Sequence, residues 1–250
     1  MKNLVMLSAC ALSVAACATP YAPIPYDREM ANITQVVVIE DAMPDTATTQ
    51  KLATNGQNMA SAMAASAGLA GVLVGAIASG IEAGIEAGQR ARILATLEAE
   101  GFDGEAIFDE ALDMALAENG YEVGTLAVEH ASDRKLIDLE PNPDAAVGSG
   151  VLDVAGAGYG YQLVGGNTQW RPFVNVTVRL TDPADPKHVL LENRVVYNPV
   201  ATPDVILNIP PEEEFAFAKI EDIEANPEKA AEGLRLALVA TANGVASLLR

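Results

Sequence analysis

The chain has 250 residues, with 15 Lys and Arg against 34 Asp and Glu, giving a net charge of −19 and a pI near 4.3. This sign excludes a protein that tracks nucleic-acid phosphates, and it repels anionic headgroups, so any membrane attachment has to be covalent or hydrophobic. Half of the residues are hydrophobic and only 5% aromatic, which excludes disorder of the whole chain and calls for one or two domains with cores built from Ala, Val, Leu and Ile.

The first element is a leader. Met1-Lys2-Asn3 is a short basic start, and Leu4 to Ala15 is apolar or small without a charge, which is the pattern of an export signal and too short for a stable span. Both cysteines of the chain, Cys10 and Cys17, fall here. Leu7-Ser8-Ala9-Cys10 and Val14-Ala15-Ala16-Cys17 each resemble the lipobox of bacterial lipoproteins, in which an aliphatic and two small residues precede the cysteine. Cleavage before Cys17 leaves a full apolar region, whereas cleavage before Cys10 leaves about five apolar residues, short of the roughly 7 to 15 that are usual. The resemblance implies loss of residues 1–16, a diacylglyceryl thioether on Cys17 and acylation of the new N-terminus. Several acyl chains at about 0.8 kcal/mol per buried CH₂ make such an anchor effectively permanent. Ala18 at the following position resembles the outer-membrane sorting pattern, so the expected place is the periplasmic face of that membrane. An ordinary secreted protein and a retained N-terminal anchor are the competing readings. After cleavage no thiol remains, which removes disulfides, thiolate nucleophiles and Cys-ligated metals together.

Residues 17–32 read as a lipidated tether, because Pro20, Pro23 and Pro25 in ATPYAPIPY favour extended backbone. A single domain is expected over 33–250. Its first strand is ITQVVVIE, Ile33 to Glu40, ended by Asp41 and Pro44. Next comes a Gly/Ala-rich helical insertion, 52–98, with glycines at 68, 71, 75, 80, 84 and 88. Gly80, Gly84 and Gly88 share a four-residue spacing, and with Gly71 and Gly75 they are the candidate contact points for a second helix or a neighbouring subunit. The competing reading is membrane insertion through Met59 to Ile81, which reaches the roughly 20 residues a span needs but is diluted by Ala, Gly and Ser.

Asp103 is placed to cap a helix whose Ile107, Phe108, Ala111, Leu112, Ala115 and Leu116 form an apolar stripe, with Gly120 ending it. Strands are expected in Tyr121–Glu129 and within Asp144–Ala155. Phe173–Leu180 alternates apolar and polar residues as a half-buried strand does, TDPADPK is a turn, and Val189–Tyr197 returns beside it. Asn198–Glu214, with Pro199, Pro203, Pro210 and Pro211, reads as an exposed loop. A last helix starts at Asn226 as N-cap and Pro227, and buries Leu234, Leu238, Val245 and Leu249. The fold class is therefore α/β (α+β), a mixed sheet covered by amphipathic helices.

The succession VVVIE, FDEALDMALAENGYEV, PDAAVGSGVLDV and VNVTVRLTDPADPKHVLLENRVVY, followed by a closing amphipathic helix, resembles the α/β domain shared by the TolB N-terminal region, the curli-secretion lipoprotein CsgG and the penicillin-binding-protein activator LpoB. The resemblance covers about 150 residues in pieces and consists of element order rather than a fingerprint. It implies a periplasmic module that binds other proteins or assembles into envelope complexes. No functional residue carries over, and the Gly-rich insertion departs from the compact members of that group.

Reactive groups are sparse. His130 in EHASDRK and His188 in a hairpin turn are expected in solvent, and no HExxH, CxxC or paired-His spacing exists. Gly148-Ser149-Gly150 lacks the form of a nucleophile elbow. Gly156-Ala157-Gly158-Tyr159-Gly160 lacks the third glycine and the helix of a dinucleotide loop, and reads as a flexible loop or bulged strand with Tyr159 and Tyr161 as partner contacts. Glu212-Glu213-Glu214 has no EF-hand spacing and reads as a solvated patch. No cofactor, metal or catalytic residue is assigned. The expected activity is protein binding in envelope assembly, secretion or peptidoglycan synthesis, with a membrane-inserting oligomer as alternative and a glycan-active enzyme third.

Overall fold

The computed structural model describes residues 22–52, 80–164, 169–198 and 207–250. In chain order the elements are α1 (Arg28–Ala31), β1 (Gln35–Ile39), β2 (Thr48–Leu52), α2 (Gly80–Ala99), α3 (Gly104–Glu118), β3 (Glu122–Leu126), β4 (Ser149–Val164), β5 (Trp170–Asp182), β6 (Asp185–Tyr197), β7 (Leu207–Ile209), a 3-10 turn (Glu213–Phe215), α4 (Ile220–Glu224) and α5 (Pro227–Ser247). The strands form one mixed sheet in the order β3-β1-β4-β5-β6-β7, with β2 joined to β4. An α/β sheet covered by helices is thus the architecture.

β4 organises the sheet. Its first residues, Ser149–Leu152, run parallel to β1, and its last, Gly160–Val164, run parallel to β2. The two short strands therefore lie end to end along one long one. Between them the β1–β2 connection touches β4 once, where the Gly156 N–H donates to the Ala42 carbonyl at 2.8 Å. A Cβ on Gly156 would lie 2.6 Å from that oxygen, and Gly160, at φ +146°, is covered by the Thr48 backbone. Side chains at these two positions would hold β2 away, so the glycines of GAGYG serve strand packing rather than a loop. The register of β4 against β5 shifts between Gly156 and Gly158, so the expected bulged strand is present. Tyr159 and Tyr161 are not partner contacts: they are 2% and 0% exposed, and the Tyr161 hydroxyl donates to the Ala230 carbonyl of α5 at 2.9 Å.

β5 alternates as its sequence requires, burying Val174, Val176, Val178 and Leu180 against the helices. β6 follows after a turn at Pro183-Ala184, and the expected loop beyond Asn198 includes β7, parallel to β6, and the 3-10 turn. Three residues are too few for periodicity to mark such a strand. β2 was missed for a similar reason, since TTQKL lies against a boundary expected to open the helical insertion. The described part of that insertion, α2, is helical. Cys17, Gly71, Gly75 and residues 53–79 lie outside the described residues.

α5 lies across the sheet because its inward residues are small or aliphatic. Leu234, Leu238, Val245 and Leu249 are fully buried. Gly233 and Gly244 admit the Phe215 ring and the side chains of Leu207 and Val195 so closely that an added Cβ would meet each of these groups within about 3 Å. Pro227 opens the helix as expected, but the Asn226 side chain does not cap it; its amide donates to the Asp222 carbonyl of α4 at 2.8 Å. α3 starts as expected, with the Asp103 carboxylate accepting from the Ala106 N–H at 3.0 Å. Its end is fastened to the end of α5: the Asn119 amide donates to the Ala246 carbonyl at 2.8 Å, and the Tyr121 hydroxyl to the Leu249 carbonyl at 2.5 Å. The two helices therefore run side by side with their C-terminal ends together.

The expected tether enters the domain early. Ile24 forms an antiparallel bridge with Glu192 of β6, its N–H donating at 2.8 Å and its carbonyl accepting at 3.0 Å. α1 follows, and Arg28 lies 4.7 Å from the centre of the Tyr121 ring.

Candidate functional site

The C-terminal end of β1 is where parallel strands commonly present ligand-binding groups. Here the chain turns at Asp41, a non-glycine residue in the left-handed region at φ +64°. Its carbonyl accepts from Arg134 Nη2 at 2.5 Å and faces His130 Nδ1 at 2.8 Å. Its carboxylate accepts from Arg134 Nη1 at 2.6 Å and the His130 backbone N–H at 2.7 Å.

The segment that brings in His130 and Arg134 follows β3 and crosses the sheet face opposite the helices. It is held there by Asp153 of β4. Asp153 Oδ1 lies 2.8 Å from His130 Nε2, and Oδ2 accepts from the Ile137 N–H at 2.5 Å. The imidazole has no exposure and the Asp153 side chain only 3%, so His130 is not in solvent as its polar neighbours in EHASDRK implied. His188 is exposed, as expected. Because the Asp41 carbonyl can only accept, Nδ1 carries a hydrogen, and Nε2 is fully occupied by Asp153. Neither ring nitrogen is open to a substrate, so the pair fastens a strap and is not arranged as a general base. The signal in the sequence was Asp153 itself, a lone charge inside the apolar run VLDVA. Such a residue is buried only with partners.

Beside this network lies an acidic cluster at the start of α3. One carboxylate oxygen each from Asp41, Asp45 and Glu105 lies within 4.8 Å of the other two, an oxygen set of the kind that suits a hard divalent cation. Both Asp41 oxygens already accept hydrogen bonds, so a cation would have to share Oδ1 with Arg134 and Oδ2 with the His130 N–H. Crowding shows in the titration of the neighbours. Burial, then the charges of Asp41 and Asp45, raise the Glu105 carboxyl above its ordinary range. Asp109 is pushed up to about 7 by burial and then by Glu105, Asp113, Glu40 and Asp41. Next to them the Tyr159 ring lies so close to Gly104 that an added Cβ would sit 2.4 Å from Cζ. Burial and then the charges of Asp103, Asp45 and Glu105 push its hydroxyl up to about 12.

The far side of α3 is different. Between α3 and α5 runs a groove of about 410 Å³ with Ile107, Ala111, Met114 and Val239 in its apolar lining and Glu110 and Glu118 among its polar groups. Met114 is 59% exposed there. The sequence held the clue: Ile107, Ala111 and Met114 at i, i+4 and i+7 widen the apolar arc of α3 beyond the stripe that meets the sheet.

Of the glycines singled out for helix contact, Gly80, Gly84 and Gly88 fall in α2. Gly88 is exposed, with no atom within 4 Å of where its Cβ would stand, so nothing among the described residues packs on it. α2 is tied to α4 elsewhere, through Arg92, which donates to Glu224 at 2.6 Å and to Glu221 at 2.8 Å. Glu212, Glu213 and Glu214 are exposed, as a solvated patch should be, and Glu213 pairs with Arg171 at 2.5 Å. No helix of the described residues is long and apolar enough to cross a membrane. Comparisons with known proteins return no matching family, curated protein or solved structure.

Proposed function

We propose that this chain is a lipid-anchored envelope factor that works by holding another protein on the periplasmic face of the outer membrane, in envelope assembly, secretion or peptidoglycan synthesis. The observation that carries the reading is the open apolar groove between α3 and α5, which leaves Met114 in solvent on a domain whose buried histidine is closed to substrate. The lipobox at Val14-Ala15-Ala16-Cys17 supports the anchor, and the likeness in element order to envelope-binding domains supports the setting. The test is a photo-crosslinking residue at Ala111 in intact cells, combined with palmitate labelling of the chain and of Cys17→Ala. A discrete crosslinked partner and loss of label in Cys17→Ala are expected. Label that survives Cys17→Ala refutes the anchor, and a crosslink pattern equal to that from exposed His188 refutes the groove as the contact.

A second reading, a membrane-inserting or ring-forming oligomer, draws on Gly88, which stands open on α2 in line with Gly80 and Gly84. A neighbouring copy would have to supply the contact. Detergent-extracted protein running as a monomer refutes it.

A further inference from the structure

The α3–α5 groove has a chemistry that selects among occupants. We infer that it takes an amphipathic helix from a partner protein, apolar along one ridge and flanked by Lys and Arg; this rests on the protein-binding reading above and names the partner class.

The floor supplies the ridge. Ile107, Ala111 and Met114 lie one and two turns apart on α3, with Val239 opposite on α5. This is the i, i+3/i+4, i+7 pattern that a helix laid in a groove presents in return. From Ile107 to Glu118 the groove runs about 16 Å at 1.5 Å per residue, enough for about three turns of a partner helix.

The charge supplies the sign. α3 reads GEAIFDEALDMALAE, with Glu105, Asp109, Glu110, Asp113 and Glu118 and no Lys, Arg or His. Glu110 and Glu118 line the groove, and among the described residues no ion pair neutralises either of them. The one cation in the groove lining, Arg235, lies 3.6 Å from Glu232 of its own helix. The α3 wall of the groove therefore carries two uncompensated carboxylates, Glu110 and Glu118, beside an apolar floor, on a helix with no positive charge of its own. A second copy of this chain, bound about a two-fold axis, would bring the same carboxylates face to face, and an anionic membrane surface is repelled for the same reason. A cationic helix meets both halves of the groove at once.

The probe is a fluorescein-labelled Leu/Lys helical peptide of about five turns, titrated with the full chain and followed by anisotropy. A scrambled peptide of equal composition and a Leu/Glu helix serve as controls. The Leu/Lys helix is expected to bind at least about tenfold more tightly than either control, and less tightly as salt rises from about 50 to about 300 mM. Met114→Asp, on an exposed position that leaves the thermal unfolding curve in place, is expected to weaken binding about tenfold. The double variant Glu110→Gln/Glu118→Gln weakens it and flattens the salt dependence, while Glu212→Gln/Glu214→Gln on the distant patch changes neither.

Equal binding of the scrambled peptide, or an unchanged affinity in Met114→Asp, overturns the inference. So does a concentration-dependent dimer in sedimentation that Met114→Asp abolishes, which would make a second copy the occupant. If the helix peptide fails while Cys17 still takes up palmitate, the groove assignment falls and the anchored-factor reading stands. If the peptide binds and no label appears, the groove stands without the anchor.

Discussion

Replacing Asp109 with Asn should stabilise the protein at alkaline pH and do nothing at acid pH. Asp109 sits on α3 four residues from Glu105 and from Asp113, like charges on one helix face. Its Oδ1 is buried without a hydrogen-bond partner. Burial first, then the surrounding carboxylates, move it from its ordinary 3.8 to about 7. The folded state thus holds a proton that the unfolded chain has released, so stability falls as pH rises from about 4 to about 7, and the loss is complete above that. A fully shielded carboxyl moved this far would cost about 4 kcal/mol when ionised. Because Asp109 is partly open to water, screening reduces this to about 1 to 2 kcal/mol. Urea unfolding of the wild type and Asp109→Asn at pH 4 and pH 8, at fixed salt, reads the difference directly. A gain of about 1 to 2 kcal/mol at pH 8 that vanishes near pH 4 is expected. An equal gain at both pH values would mean that the amide improves packing and that the charge is not the cause. No gain at pH 8 would refute the crowding.

The strap gives a second test. Asp153→Ala leaves the buried His130 Nε2 and the part-buried Ile137 N–H without this partner and should cost about 3 kcal/mol. Asp153→Asn keeps the shape, with its oxygen accepting from the Ile137 N–H and its amide facing Nε2, so the loss should be about 1 kcal/mol. Equal losses in urea unfolding would show that the strap is not held through this pair. On α2, Gly88→Ala puts a methyl into open space and should raise the thermal midpoint through about 0.5 to 1 kcal/mol of helix propensity. A lowered midpoint would show that a group outside the described residues packs on Gly88.

Much of the sheet was legible because its strands carry their own signal. The alternation of Phe173–Leu180 gives β5, the apolar run of Ile33–Glu40 gives β1, Asp103 and Gly120 mark both ends of α3, and Pro227 marks the start of α5. What escaped depends on contacts distant in sequence. β2 is a strand because TTQKL pairs with Gly160–Val164, entered where Gly160 has no side chain to hold Thr48 away, and no periodicity in TTQKL states that. Tyr159 and Tyr161 flank glycines, which made them look exposed, yet the bulge turns both rings into the core. The strap escaped for the same reason: His130 stands among polar residues, and its partner Asp153 is 23 positions away. Of the groove, the sequence showed the apolar positions Ile107 and Ala111 of α3 but not that α5 would leave Met114 uncovered.

The bridge between Ile24 and Glu192 shortens the leash. If Cys17 carries the proposed lipid, the seven positions from it to Ile24 reach about 20 Å, rather than the roughly 30 Å to Tyr26. The backbone pairing also fixes where the leash leaves the domain, at the β6 edge of the sheet. A protein moored this closely and at one point cannot sample the periplasm freely. It would sweep a shallow dome over the bilayer, meeting partners whose own exposed helices lie near the membrane. Lengthening the segment before Ile24, with every contact of the folded domain unchanged, would then alter which partners come within range.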